Sequence, residues 1–440
     1  MIGLARSGQA AARLLARHGE QVLGADAASP DGAEGLRQAG VEIHLDGEGT
    51  SLLDRVRCVV KSPGVPSEAP AVAAARQRGI PVLGELELAW RLLSNRFIAV
   101  TGTNGKTTVT ELVGHLWRTA GEPVAVAGNV GTPLSSLVEA VPEEATVACE
   151  CSSFQLEDSE AFAPECAVIL NLAPDHLDRH GTFEGYRDAK LRAFANQGNY
   201  DIAIYNRSDP ELSALDLGGC ARRVGFCAGD GGDPDCDYAL ANGTIFVGPE
   251  PLLEASELRL LGAHNAENAL AASAVALELG LERDAVVEGL RSFPGVPHRL
   301  ERVAELDDVL YVNDSKATNV AAATTGLRAF ARGVHAILGG RGKGESFAPL
   351  AEPVAERCRA CYLIGEAAVE IEAALAPARE AGIDLRRCHD LADAVRSAAR
   401  TARPGDVVLL SPACTSFDAF RDFEERGERF RELVAGLDGQ

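Results

Sequence analysis

Phe97-Ile98-Ala99-Val100 runs directly into Thr101-Gly102-Thr103-Asn104-Gly105-Lys106-Thr107-Thr108, and an amphipathic run from Val109 to Thr119 follows. A strand, a glycine-rich turn and a helix in that order point backbone N–H groups and a helix N-terminus at a phosphate. Gly102 and Gly105 let the backbone approach closely, Lys106 supplies a point charge for the β/γ-phosphates, and the Thr107 hydroxyl can ligate Mg²⁺, with Thr108 beside it. The stretch predicts an ATP site on an α/β fold. The general pattern G-x-x-x-x-G-K-[ST] needs glycine where Val100 stands, so the loop is a shorter variant.

At 440 residues the chain is long enough for two to four domains, and 46% hydrophobic content is ample for their cores. No apolar run approaches the roughly 18 residues of a membrane span, and arginines at Arg6, Arg13 and Arg17 leave no apolar leader. The expectation is a soluble, cytoplasmic monomer without membrane insertion. A formal charge of −22 argues against nucleic-acid or anionic-membrane contact, which needs a cationic field. An anionic substrate remains compatible where lysines and arginines converge. Eleven cysteines scattered along the chain fit reduced thiols better than a disulfide framework. Cys358 and Cys361 form a C-x-x-C without a second pair or a nearby histidine, and read as thiols at a helix-to-strand junction.

The segment to about Ser94 opens with Gly3-Leu4-Ala5-Arg6-Ser7-Gly8, a dinucleotide-type turn with alanine at the second glycine position. An amphipathic helix follows, then a strand from Gln21 to Ala25 that ends at Asp26. An acidic residue there, about 20 residues on, hydrogen-bonds a ribose hydroxyl in such folds. Only Met1 and Ile2 precede the turn, whereas a strand has about five or six residues. A start codon assigned too far downstream is the expectation; the intact mass of the natively expressed protein decides it, and a mass matching Met1 overturns it. Cys58 to Lys61 reads as a strand that ends in Ser62-Pro63-Gly64-Val65-Pro66. Ile80 to Leu83 reads as another, and Glu85 to Leu93 as a helix. Such alternation predicts a parallel sheet.

In the central segment, about 95–297, a strand from Val124 to Ala127 leads to Gly128-Asn129-Val130-Gly131. Thr146 to Cys149 leads to Glu150, then Cys151-Ser152-Ser153-Phe154-Gln155-Leu156. Ligands in α/β sheets sit outside the carboxyl ends of strands, which puts Glu150 where a carboxylate would hold Mg²⁺. Ala167 to Leu172 is a further strand, ahead of Asp175-His176-Leu177-Asp178. His176 reads equally as a metal ligand or a loop histidine, and Lys190, taken alone, as a surface lysine on a helix. Three more strands are expected at 200–206, 221–226 and 243–247. His264-Asn265-Ala266-Glu267-Asn268 opens a long alanine-rich helix whose start could reach a purine.

From about His298 onward three strands end in polar, cationic or glycine-rich loops: Asn313-Asp314-Ser315-Lys316-Ala317-Thr318-Asn319, Gly339-Gly340-Arg341-Gly342-Lys343 and Ser411-Pro412-Ala413-Cys414-Thr415-Ser416-Phe417. That clustering marks a binding face on a third α/β unit.

These motifs together resemble the Mur ligase family. The resemblance rests on T-G-T-N-G-K-T-T, G-N-V-G, S-S-F-Q-L, D-H-L-D, H-N-A-E-N-A at 264–269, P-H-R at 297–299, N-D-S-K-A-T-N and S-P-A-C, and it spans nearly the whole chain. The phosphate loop is common to the family and to folylpolyglutamate synthases; N-D-S-K-A-T-N and S-S-F-Q-L point to the branch that adds D-glutamate. The resemblance implies a UDP-substrate domain (1–94), an ATP-binding central domain (95–297) and an amino-acid domain (298–440), the outer two Rossmann-like. It implies ATP and Mg²⁺ as cofactors, UDP-N-acetylmuramoyl-L-alanine and D-glutamate as substrates, and a place in cytoplasmic peptidoglycan precursor synthesis.

Residue by residue, it implies that the loop Gly102 to Thr108 binds the phosphates, with Asn265, Asn268, Arg299 and Asp314 on the rest of the nucleotide. Thr107 and Glu150 would hold one Mg²⁺ and His176 a second. Lys190 stands where the family carries a carbamylated lysine: an ammonium would repel the metal, whereas a carbamate offers it oxygens. Arg6, Ser7 and Asp26 would hold the UDP part, and Asn129 and His176 the muramoyl end. Lys316, Thr318, Lys343, Ser416, Phe417 and Phe423 would surround D-glutamate, two cations suiting a dicarboxylic amino acid. Arg6 and Ser7 depart from the small or apolar pair expected in the uridine turn. Arg341 adds a charge to its glycine loop, read as solvated rather than as a D-glutamate contact.

The implied chemistry is acyl-phosphate formation from ATP followed by amine attack, with domain closure completing the site. Three rivals stand beside it: another Mur ligase or a folylpolyglutamate synthase, a P-loop switch, and a silent UDP-sugar-binding regulator. No N-K-x-D guanine motif supports the switch, and Lys106, Glu150 and Lys190 are all present, against the regulator.

Overall fold

The computed structural model describes residues 1–45, 47–229 and 236–437. They divide into two compact units, Met1–Glu257 with Ala266–Ser292, and Leu258–Asn265 with Phe293–Gln440.

The first unit begins with parallel pairs β1 (Leu23–Asp26) with β2 (Glu42–Leu45) and β3 (Val59–Lys61) with β4 (Val82–Gly84). Ile2 joins them, bridging in parallel to Ala25 on one side and Lys61 on the other. Two residues thus stand in the place of the expected central strand: Ile2 N–H donates to Val60 O at 2.8 Å, and Ala25 N–H to Met1 O at 2.9 Å. The Met1 amine donates to Leu23 O at 2.7 Å, and burial lowers its pKa to about 6.

The central sheet has nine strands. β5 (Phe97–Thr101) lies third from one edge, and β6 (Val124–Gly128), β7 (Thr146–Glu150), β8 (Cys166–Ile169), β9 (Ile202–Asn206), β10 (Arg222–Ala228), β11 (Tyr238–Ala241), β12 (Thr244–Val247) and β13 (Glu250–Glu254) complete the order 13-12-11-10-9-8-5-7-6. The strands pair in parallel except at one edge, where β11, β12 and β13 pair antiparallel. β5 is fully buried between β7 and β8, both parallel to it, so its apolar run has no solvent face.

Two glutamates on the helix Glu85–Leu92 bind the N-terminal sheet to this central one. Glu85 accepts the Ser135 N–H at 2.7 Å, and Glu87, fully buried, accepts the N–H groups of Glu160, Ala161 and Phe162. Carboxylates that satisfy so many backbone donors help to hold the two sheets together.

One expectation is corrected here. Cys227, on β10, and Cys236, just before β11, form a disulfide, while the other nine cysteines are free. Parallel pairing of Phe226 with Tyr238 returns the chain beside itself and leaves the two Cα atoms 6.1 Å apart, within bridging range. Cys358 and Cys361 are buried free thiols where the helix Ala351–Arg357 meets the next strand, as the spacing predicts.

The second unit is built on six strands, β14 (Glu301–Leu306), β15 (Val309–Asn313), β16 (Val334–Gly339), β17 (Cys358–Ile364), β18 (Asp384–Arg387) and β19 (Val407–Leu410), in the order 14-15-19-16-17-18. Only β14, at the edge, is antiparallel to its neighbour. The three adjacent strands β15, β19 and β16 are those whose carboxyl ends carry the polar loops.

Candidate active site

β5, β7 and β6 are adjacent and parallel, and their register sets Glu150 opposite both Val100 and Gly128. The phosphate-type loop, Glu150 and the Gly128-Asn129 turn therefore emerge side by side at one edge of the sheet. Gly128 is required there: its φ is 125°, and a Cβ on it would sit 2.2 Å from Glu150 O. The approach puts Asn129 Nδ2 3.0 Å from Glu150 Oε1, so a carboxylate that is 3% exposed keeps a donor.

The loop is shaped by local bonds. Thr103 N–H donates to Asn171 O at 3.0 Å, and Asn104 N–H to Asn171 Oδ1 at 2.8 Å. Gly105 caps the helix Lys106–Thr119 with φ 85°. Lys106 Nζ curls back onto Gly102 O at 2.9 Å and Thr103 O at 2.8 Å, the posture of an ammonium that covers its own loop.

Lys190 corrects the bland reading of a surface lysine. The helix Phe183–Leu191, capped by Thr182, turns it inward until it is 1% exposed, and its Nζ donates to Gly102 O at 2.7 Å. Tyr186, one turn earlier, lays its ring 4.5 Å from that Nζ and sends its hydroxyl to Thr103 Oγ1 at 3.1 Å. Burial, and then the charge of Lys106, lower the Lys190 amine to about 7.

His176 is the left-handed residue (φ 51°) just before the helix Leu177–His180, and its ring packs 4.7 Å from the Phe154 ring. Phe154 belongs to Ser153–Leu156, a one-turn helix closed by a capping box in which Ser152 and Gln155 exchange bonds. The motifs S-S-F-Q-L and D-H-L-D thus meet through their aromatic rings.

In the N-terminal turn, Asp26 accepts from Leu4 N–H at 2.6 Å and Ala28 N–H at 2.9 Å, so its carboxylate first of all holds the turn's shape. Arg6 NH1 donates to Gly131 O at 3.0 Å, joining this turn to the Gly128–Gly131 loop; Ser7 lies half-buried beside it.

In the second unit, Asp314 is buried, accepting from Ser411 Oγ at 2.7 Å and Leu300 N–H at 3.2 Å. Burial raises its pKa to about 7 against those two bonds. Lys316 Nζ lies 3.7 Å from the Phe423 ring centroid, and Lys343 Nζ 3.4 Å from Thr318 Oγ1. Ser416 is buried and Phe417 exposed on the same loop. Arg341 is exposed, and it forms a two-pronged pair with Glu366, both bonds 2.9 Å. Arg299 follows the left-handed His298. Asn265 and Asn268 both ride the helix Ala263–Glu278, Asn265 donating to Leu261 O at 2.8 Å.

Comparison with known proteins places this arrangement. The Mur ligase middle domain matches residues 100–276, the Mur ligase glutamate ligase domain residues 298–414, and the N-terminal domain of the MurD-like Mur ligases residues 1–84. The chain belongs to the Mur ligase family. Among its relatives, the UDP-N-acetylmuramoylalanine–D-glutamate ligase of Pelotomaculum thermopropionicum is 44% identical over 99% of this chain and 97% of its own. That of Anaeromyxobacter dehalogenans is also 44% identical, over 99% and 96%. The fold matches UDP-N-acetylmuramate-alanine ligase from Thermotoga maritima, with a TM-score of 0.60 at 21% identity over 99% of this chain and 98% of that one.

Within this Mur ligase, three site neighbours escape a reading by motif. Tyr186 has a signal, its i, i+4 spacing from Lys190 on one helix face. Asn171 has none beyond its place after a strand. Arg426 is 1% exposed and donates to Ser315 O at 2.8 Å and Cys414 O at 3.1 Å, tying two of the three polar loops; F-E-E-R-G does not announce a buried cation.

Proposed function

We propose that the chain is an ATP-dependent ligase that joins D-glutamate to the alanine carboxylate of UDP-N-acetylmuramoyl-L-alanine, a cytoplasmic step in peptidoglycan precursor synthesis. The observation that carries this reading is that relatives bearing that activity in their names align with almost the entire chain, all three parts included. The proposed domains are 1–94 for the UDP substrate, 95–297 for ATP and 298–440 for the amino acid.

In this reading the alanine carboxylate attacks the γ-phosphate of ATP, giving an acyl phosphate and ADP. The D-glutamate amine then attacks the acyl carbon, and phosphate leaves from a tetrahedral intermediate. The loop Gly102–Thr108 presents N–H groups and Lys106 to the phosphates, where preorganised charge contributes most of the catalysis. Asn265, Asn268, Arg299 and Asp314 take the rest of the nucleotide. Arg6, Ser7 and Asp26 take the UDP end, and Asn129 and His176 the muramoyl end. Lys316 and Lys343, with Thr318, Ser416, Phe417 and Phe423, receive the dicarboxylic amino acid.

The donors suit Mg²⁺. Among the described residues no three His, Cys, Asp or Glu side chains form a metal cluster, and Mg²⁺ does not need one, since it keeps waters and takes phosphate oxygens beside one or two protein ligands. Thr107 and Glu150 would hold one ion, and His176 with carbamylated Lys190 a second; bound there, Mg²⁺ neutralises phosphate charge.

Phosphate release from ATP with UDP-N-acetylmuramoyl-L-alanine tests the reading, with D-glutamate set against L-glutamate, L-alanine and meso-diaminopimelate. Release that depends on D-glutamate alone is the expected result. Release with another amino acid would keep the chemistry and overturn the pocket assignment; release with none would favour a switch.

A further inference from the structure

A buried ion cluster in the first unit is not used by the mechanism above. Lys61 is fully buried, with its Nζ 2.6 Å from Asp158 Oδ2, 3.2 Å from Glu157 Oε1 and 2.8 Å from Val65 O. Arg179, only 10% exposed, donates through the same guanidinium nitrogen to Glu157 Oε1, to Val65 O at 2.8 Å and to Pro63 O at 3.3 Å. Its guanidinium carbon lies 4.9 Å from the centre of the Phe154 ring, which also packs against His176 at 4.7 Å and stacks on His180 at 5.6 Å. Removing several charges from water costs several kcal/mol per ion, so each member of such a cluster depends on its partners to stay in place.

What it positions follows from both ends. On one side the turn Pro63 to Val65 packs under the Gly3–Gly8 turn: a Cβ on Gly3 would meet Val65 Cγ2 at 2.6 Å and Ser62 Cβ at 2.9 Å, and Ser62 N–H donates to Ile2 O at 2.9 Å. On the other side Arg179 lies in the same four-residue helix that His176 opens. A planar guanidinium can bridge carbonyls and stack on a ring at once, which an ammonium cannot.

We propose that Arg179 is a positioning residue: it fixes His176 through Phe154 and the helix Leu177–His180, and it ties that histidine to the turn beneath Gly3–Gly8, so that a uridine diphosphate bound at the turn is felt at His176. The inference rests on the proposed reading of Gly3–Gly8 as the UDP site.

The test uses the full chain labelled at its histidine rings, without ATP or metal, and UDP alone as the probe, which lacks the muramoyl end and so has nothing to place on His176. The His176 ring signal is assigned by its loss in His176→Gln. In the parent protein saturating UDP shifts that signal; in Arg179→Gln, which still binds UDP by calorimetry, the shift is lost. In turnover, Arg179→Gln lowers kcat on the order of 10–100-fold, the scale of a misplaced site group, with a small change in KM for the UDP substrate. Arg179→Lys does not restore it, and Glu157→Gln, which keeps the arginine, loses part of the shift. UDP that binds the parent protein without moving His176, or a full shift in Arg179→Gln, overturns the inference. UDP that does not bind the parent protein overturns the reading beneath it as well.

Discussion

Lys190 Nζ lies 2.7 Å from the carbonyl oxygen of Gly102, so a fully buried lysine touches the phosphate loop from within the protein. Burial first, and the nearby Lys106 charge second, bring its amine down to about 7 from 10.5. A neutral amine is what adds CO₂, forming a carbamate and releasing a proton, and the lowered pKa supplies it near neutral pH.

Protein equilibrated with ¹³C-bicarbonate is therefore expected to show a carbamate carbon signal that Lys190→Ala lacks. The signal should grow as pH rises through the amine's value of about 7. Lys190→Ala should lose turnover and regain part of it with short carboxylic acids, which supply the missing oxygens. Absence of the signal, or of rescue at any concentration, counts against the carbamate.

Lys106 curls onto two carbonyls of its own loop, Gly102 and Thr103, and is placed to turn from them to a phosphate. Lys106→Ala should lower kcat by roughly 10²–10³, the scale of losing one preorganised charge donor. Stopped assays of phosphate release measure it, and near-normal turnover would refute the assignment of the loop.

Asp314 gives a pH dependence of stability. Its pKa is raised to about 7 from 3.8 by burial, which outweighs the bonds from Ser411 and Leu300. Between those values the folded chain holds a proton that the unfolded chain has released. Its contribution is therefore full below the unfolded value and is lost as pH rises through about 7. Asp314→Asn, which cannot titrate, should show a Tm that gains on the parent's as pH rises through that window. Parallel Tm curves would sink the claim.

The phosphate loop, Glu150 and the three polar loops of the second unit were legible because each joins a buried apolar strand to chemistry within a few residues. Lys190 was not legible as buried, because one lysine on a nine-residue helix carries no sign of which face turns inward. Lys61 and Arg179 were invisible for a related reason: their partners, Glu157 and Asp158, lie far along the chain, and only the packed sheets bring them together. The antiparallel edge β11 to β13 and the Cys227–Cys236 bond depend on where the chain returns beside itself, which local periodicity does not encode.

Gly105 carries two separable constraints, and they give a test of the loop that does not need turnover. Its φ of 85° disfavours any L side chain, and a Cβ there would also lie 2.4 Å from Asn268 Oδ1 and 3.0 Å from Leu170 Cδ1. Gly105→Ala should lose about 1–2 kcal/mol of stability from the backbone alone, with the Asn268 contact adding to it. It should also weaken ATP binding, because the loop's N–H groups no longer converge. Pairing it with Asn268→Ala separates the parts: the double variant recovers the collision but not the backbone cost, so the two changes should add to less than their sum in Tm. ATP binding by calorimetry is the deciding measurement, since a Gly105→Ala protein that binds ATP as the parent does would show that this turn is not the phosphate cradle.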